Sequence, residues 1–298
     1  MRQASMTGAA WAMLLALAAV WGGSFFFVEV ALTGERPLTI VLHRVIWAVP
    51  ALGLVLWWKG LALPRAPRVW GAYLAMGLLN NAIPFTLIVW GQTHLEGGLA
   101  SILNAMTAMF GAVVAGALLP DERLTAGKVA GALLGLAGAA AIMGPRALAG
   151  LDPRDLAQLA ILGACLSYAL AGVWAKVTLK GIAPEVNAFG MLAGSTLLMI
   201  PLVLAFEGVP SLAYSAPVWG ALLGIAWLGT ALAYLLYFAI LARAGAANLM
   251  LVTLLIPPVA VGLGAAFLGE RLPPAAWAGF TLIALGLAVT DGRLLRRR

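Results

Sequence analysis

Ten runs of roughly 20 mostly apolar residues follow one another along the chain, the length a helix needs to cross a bilayer core. They lie near 7–28, 38–57, 69–90, 97–118, 125–144, 156–175, 186–205, 215–234, 245–267 and 274–290. Short polar or proline-bearing breaks separate them: Gly34-Glu35-Arg36-Pro37, Pro64-Arg65-Ala66-Pro67, Asp121-Glu122-Arg123, Leu151-Asp152-Pro153-Arg154 and Pro273-Pro274. The weakest breaks fall around His94-Leu95-Glu96-Gly97 and around Arg243, so a count of nine stays open beside ten. The pattern predicts an all-α polytopic membrane protein.

A motif repeats within this pattern at half the chain's length. Leu118-Leu119-Pro120-Asp121-Glu122-Arg123-Leu124 returns in altered form as Phe267-Leu268-Gly269-Glu270-Arg271-Leu272. The two Glu-Arg-Leu triplets stand 148 positions apart, Glu122 against Glu270, in a chain of 298 residues. Gly131 and Gly138 align with Gly279 and Gly286 at the same offset. Five crossings per half is an odd number, so a duplicated half inserts upside down. The expectation is two five-helix repeats, 7–145 and 155–290, in inverted topology around a central cavity, an architecture of secondary transporters. The Glu-Arg pairs themselves admit two readings. One is an interfacial cap, with the acid at the following helix's N-terminus and the arginine on headgroups. The other is a gate contact at opposite membrane faces.

Composition agrees with lipid as the solvent. Hydrophobic residues make up 63% and charged residues 10%, with a mean hydropathy of +1.01. Soluble domains carry about 25% charged residues. The net charge of +7 does not point to nucleic acid, because no basic groove with interleaved aromatics is visible. Ten crossings put both termini on one side. If that side is the cytoplasm, it holds Arg2, Lys59, Arg65, Arg68, Arg123, Lys128, Lys176, Lys180, Arg243 and the Arg293–Arg298 tail. The other side keeps Arg36, Arg44, Arg146, Arg154 and Arg271. The excess of basic residues assigns both termini to the cytoplasm. The first apolar run is close to spanning length and reads as a crossing, not a cleaved leader. Cys165 has no ligand partners at metal-site spacing and reads as helix filler.

The chain carries no Walker loop, HExxH or GxSxG, and no histidine cluster for a metal. No catalytic residue, cofactor or metal is expected, and the chain does not read as an enzyme. The informative residues are neutral polar groups inside apolar runs: Asn80, Asn81, Thr86, Asn104, Thr107, Ser167, Tyr168, Thr230, Tyr234, Tyr237, Asn248 and Thr253. Each needs a partner in hydrocarbon. Interhelical bonding explains any one of them, while their spread over both halves fits the wall of a central passage. Pro84, Pro257 and Pro258 each remove a helical hydrogen bond and read as static kinks or as hinges. Trp57, Trp58, Trp70, Trp219 and Trp277 fall near helix ends as interface anchors. Trp21, Tyr168, Trp227 and Tyr234 are candidates for aromatic cavity walls, beside Ser24, Asn81, Asn104 and Asn248. Glu29 and Arg44 form a candidate charge pair that would avoid a lone charge in the membrane, or each snorkels outward.

The ten spans, Trp21-Gly22-Gly23-Ser24-Phe25 in the first helix, and the Glu-Arg-Leu motifs before the fifth and tenth resemble the drug/metabolite transporter superfamily. The similarity is nearest to its EamA-domain exporters, YddG-type amino-acid exporters among them, and runs from about residue 9 to 290. The first motif, Leu118-Leu119-Pro120-Asp121-Glu122, departs from the apolar-Gly-Glu pattern that Leu268-Gly269-Glu270 keeps. The resemblance implies a monomeric ten-helix basket in the bacterial inner membrane, its cavity lined by the first, third, fourth, sixth, eighth and ninth helices. It implies export of amino acids, aromatic or other neutral ones included, and related small metabolites by alternating access. Its partners would be a small-molecule substrate and membrane lipids. A drug or nucleotide-sugar transporter of the same superfamily is the alternative, with a lipid-modifying enzyme or flippase more remote. Proton coupling and facilitated diffusion both stay open.

Overall fold

The computed structural model describes residues 7–120, 124–143, 153–244, 249 and 252–291. Among these, seven helices are long and apolar enough to span a membrane, and three more apolar helices are shorter. In chain order they are α1 Gly8–Leu32, α2 Pro37–Trp58, α3 Pro67–Gln92, α4 Gly97–Leu118, α5 Ala126–Ile142, α6 Arg154–Thr178, α7 Pro184–Phe206, α8 Ala216–Ile240, α9 Val252–Leu268 and α10 Pro274–Val289. Ten stands over nine at the break between α3 and α4, where residues 93–96 leave the helix. The break between α8 and α9 falls largely outside the described residues.

Local chemistry sets the ends. Proline opens α2, α3, α7 and α10, where a missing N–H costs nothing. The Thr7 hydroxyl accepts from the Ala10 amide at 3.2 Å and caps α1. Gly60 and Gly208 turn the chain at positive φ, 64° and 86°, just beyond α2 and α7. These two glycines share the 148-residue offset of the sequence repeat.

The helices pack around two apolar clusters. One lies mostly among α1, α4, α6, α9 and α10, and the other mostly among α2, α3, α7 and α8; α1, α3, α6 and α8 give buried residues to both, and Tyr168 touches both. Contacts between the halves are reciprocal. A Cβ on Gly138 would strike the Gly279 carbonyl, and one on Gly286 would strike the Gly131 carbonyl. Moving either pair by the repeat offset gives the other, and numbers rise along α5 as they fall along α10. The two helices therefore meet antiparallel, backbone on backbone, as small residues permit in lipid. Helices α2 and α7 behave alike. Lys59, after α2, reaches Glu185 at the start of α7 at 2.6 Å. Glu207, after α7, accepts from the Leu38 and Thr39 amides at the start of α2, at 2.9 and 2.7 Å.

Gly138→Ile should lower the melting temperature of the detergent-solubilised protein markedly, since overpacking of this kind costs about 1–3 kcal/mol. Gly111, whose Cβ would meet open space, should tolerate alanine without a shift. Equal melting of Gly138→Ile and Gly111→Ala would remove the α5–α10 contact from this account.

Candidate functional site

The polar groups of α3 are placed by a break in its helix. Pro84 has no N–H for the Asn80 carbonyl, and its ring crowds that turn. The helix widens just before it into a π turn over Leu78–Ala82. The Leu79 carbonyl then accepts from the Ser167 hydroxyl of α6 at 2.6 Å. Asn80 donates through Nδ2 to Tyr234 Oη at 2.9 Å, and Tyr234 donates to Asn81 Oδ1 at 3.0 Å. Asn81 Nδ2 donates to Ser195 Oγ at 3.1 Å, which itself donates to the Met191 carbonyl. This last link needs α3 and α7 in backbone contact. A Cβ on Gly77 would strike Ser195 N and Met191 O, and one on Gly194 would strike Tyr73 O. Asn81 and Ser195 are fully buried.

A second π turn, Gly224–Leu232, interrupts α8. There Thr230 donates to the Ile225 carbonyl at 2.9 Å, and its oxygen accepts from Arg44 Nε at 3.0 Å. The Arg44 guanidinium lies over the Phe85 ring, 3.6 Å from its centroid. Phe85 meets Tyr168 edge to face at 6.5 Å. Arg44 keeps only 8% of its surface accessible, seven residues into α2. The expected pair with Glu29 does not form. Among the described residues, no carboxylate lies within 4.0 Å of the Arg44 nitrogens. Glu29 instead accepts from Gln92 Nε2 at 3.1 Å, because its face of α1 turns to α3 and α4 while Arg44 turns to α8. A lone charge at the helix centre costs about 2.5–3.5 kcal/mol on insertion scales. Stacking on a desolvated ring returns about 2 kcal/mol of this.

The other candidates scatter. Trp21 packs its ring against Tyr237 at 6.0 Å. Ser24 donates to the Val20 carbonyl, buried beside Gly229 of the second π turn. Asn104 sits where α4 breaks at residues 105–106, and the Cys165 thiol approaches its carbonyl at 3.6 Å. Trp227 departs from expectation. It is 48% exposed and donates to the Trp47 carbonyl at 3.2 Å, away from the Asn81–Tyr234 cluster. Regular helical spacing puts residues seven apart on one face. The extra residue of the π turn rotates Trp227 off the face of Tyr234. Pro257 and Pro258 lie within the continuous stretch Val252–Leu263. Asn248, Glu122 and Arg123 lie outside the described residues. Ser195 was missed as a site residue, although the Gly190-x3-Gly194 spacing beside it marks a close helix crossing.

At the face where α1, α3 and α9 end and α4 begins, a pocket of about 390 Å³ opens among Glu29, Gln92, His94, Glu96 and Glu270. Glu270 accepts from the Gly97 and Gly98 amides, both at 3.2 Å. The carboxylate is thus a helix cap, but on α4 rather than on the helix that follows it. Burial pushes the Glu270 carboxyl above the usual carboxylate range, and the negative charge of Glu96 adds to this against the pull of the two amides. Arg154 approaches Glu96 at 3.6 Å. Gln92 Oε1 is buried here without a donor among the described residues.

Sequence comparison finds relatives along the whole chain. The profile of the EamA-like transporter family matches residues 6–144 and again 155–290. A protein of Streptantibioticus cattleyicolor described as a "Probable terminal-alkyne amino-acid exporter" is 28% identical over 98% of this chain and 96% of its own. A "Probable amino-acid metabolite efflux pump" of Salmonella typhimurium is 27% identical over 93% of each chain. The "Uncharacterized transporter YoaV" of Bacillus subtilis is 25% identical over 96% of this chain and 97% of its own. A solved crystal structure shares the fold with a TM-score of 0.68 at 20% identity, covering 97% of this chain and 99% of that one.

The raised Glu270 carboxyl carries a pH signature. The folded protein holds its proton more tightly than the unfolded chain does. The stability this contributes is fully present below the ordinary carboxylate range and is lost as pH rises through the folded value. Thermal stability should therefore rise on mild acidification, and Glu270→Gln should flatten that slope. An unchanged slope in Glu270→Gln would assign the effect to other carboxyls.

Proposed function

The chain belongs to the EamA-like transporter family, and on that premise we propose that it exports amino acids and related small metabolites across the bacterial inner membrane by alternating access. The observation that carries this reading is the polar strip Arg44–Thr230 and Tyr234–Asn80–Asn81–Ser195, buried except for the half-buried Asn80 and Tyr234, which draws on helices from both halves of an otherwise apolar chain. Interhelical hydrogen bonds in membranes are worth only about 0.6 kcal/mol on average, a weak reason to bury so many polar groups together. Mixed donors, acceptors and aromatic faces suit a small zwitterion with an apolar side chain. The names of the Streptantibioticus and Salmonella relatives favour amino acids over drugs or nucleotide sugars.

The proposal includes two inverted five-helix repeats, over 7–145 and 155–290, with both termini cytoplasmic. Supporting it are the two family matches, the antiparallel α5–α10 contact and the exchanged contacts of α2 and α7. In this reading Asn81, Tyr234, Tyr168 and Asn104 face the substrate path, with Trp21 and Ser24 on its α1 side. Pro84 is its hinge, through the π turn it induces.

Reconstituted into liposomes, the protein should move labelled neutral and aromatic amino acids faster than protein-free vesicles do. A panel in which only drugs or nucleotide sugars move would overturn the substrate class. At matched membrane levels, Asn81→Ala and Tyr234→Phe should each cut flux about tenfold, the effect of losing roughly 1.4 kcal/mol of a buried polar contact. Normal flux in both would withdraw them from the path.

A further inference from the structure

Arg44 is the feature that packing leaves unfinished. A guanidinium carries five N–H donors in a rigid planar fork and no acceptor. Here Nε–H is taken by Thr230, and one face of the plane is covered by Phe85. The four Nη hydrogens donate to no described residue, although the side chain is more than nine-tenths buried. Neither Nη nitrogen is among the buried side-chain atoms left without a partner, so the slight accessible surface of Arg44 falls at this edge, open to a further acceptor. A structural role alone would be served by a neutral side chain, without a charge that has no counter-ion. His43 is the other buried basic side chain among the described residues, and both its nitrogens are engaged, by Trp47 and Tyr214.

From this we infer that the Nη edge of Arg44 receives the carboxylate of the transported molecule. The inference rests on the amino-acid reading and names the group through which the substrate is held. The fork geometry selects a planar anion with two oxygens, which it can bind through two parallel hydrogen bonds. The single fixed charge selects a monoanion over a phosphate ester, which would call for a second cation. Thr230 and Phe85 act as positioning residues. They hold Nε and the ring face, and so leave the Nη edge as the part free to bind. On α8, Tyr234 with Asn80 and Asn81 supplies neutral groups for the rest of the molecule.

The test is ligand-induced thermal stabilisation of the purified full-length protein, measured with acid and amide pairs. Phenylalanine is set against phenylalaninamide, and phenylpropionate against phenylpropionamide. In wild-type protein each acid should half-saturate at a concentration about tenfold or more below its amide, since a site built for a polar group rejects the analogue that lacks it. Arg44→Gln should bring that ratio close to one, and Arg44→Lys should keep part of it. Wild-type protein that prefers no acid over its amide overturns the inference, as does Arg44→Gln with an undiminished ratio. A stronger response to a phosphate ester than to either acid overturns the choice of carboxylate. Should Arg44→Gln fail to assemble, the wild-type ratio and Arg44→Lys decide it. If phenylpropionate binds through Arg44 while no amino acid is moved in liposomes, the amino-acid reading fails and the carboxylate site stands. If amino acids are moved but the acid and amide ratios do not depend on Arg44, the reverse holds.

Discussion

Every backbone amide and carbonyl within the hydrocarbon must find a partner inside the protein, and this structure is organised around the places where a helix cannot supply one. Pro84 breaks the ladder of α3, and Ser167 of α6 closes on the Leu79 carbonyl. The π turn of α8 frees the Ile225 carbonyl, and Thr230 takes it. Where α4 breaks at residues 105–106, the Thr107 hydroxyl and the Cys165 thiol approach the Asn104 carbonyl. The side chains that repair the backbone are the ones that carry polarity into the interior. Thr230 shows the economy of this: one hydroxyl gives its hydrogen to its own helix and its lone pair to Arg44.

Close helix approach is the second requirement. Polar side chains as short as asparagine and serine bridge helices only where backbones nearly touch. The Gly77–Gly194 crossing lets Asn81 reach Ser195, and the α5–α10 glycines hold a pair of helices that carry none of the polar strip. The long side chains, Arg44 and Tyr234, span the wider gaps.

Much of this was legible in the sequence, for a definite reason. Spans and breaks are composition signals of about 20 residues, and lipid enforces them strictly. The glycine register at an offset of 148 was legible as a repeat, while the contact those glycines make between α5 and α10 was not. Asn81 and Tyr234 stood out as polar groups in apolar runs, and they meet. Rotation about each helix axis was not legible. Trp227 and Tyr234 share a face on a regular helix and part company across a π turn whose presence no residue announces. Glu29 and Arg44 lie near one membrane face in sequence order, yet they point to different neighbours. Glu270 looked like a cap for its own following helix, and only the tertiary fold brings α4 to it.

The exchanged contacts of α2 and α7 sit at opposite ends of the molecule and differ in chemistry. Lys59 and Glu185 join two side chains, with the lysine 46% exposed. Glu207 is seated on backbone amides and on the Thr39 hydroxyl at 2.7 Å. Dissolved salt screens the first pairing far more than the second. Two copies of one contact would answer to salt alike. In this chain the two contacts differ, and ionic strength becomes a handle that loosens the Lys59–Glu185 pairing and leaves the Glu207 seat in place.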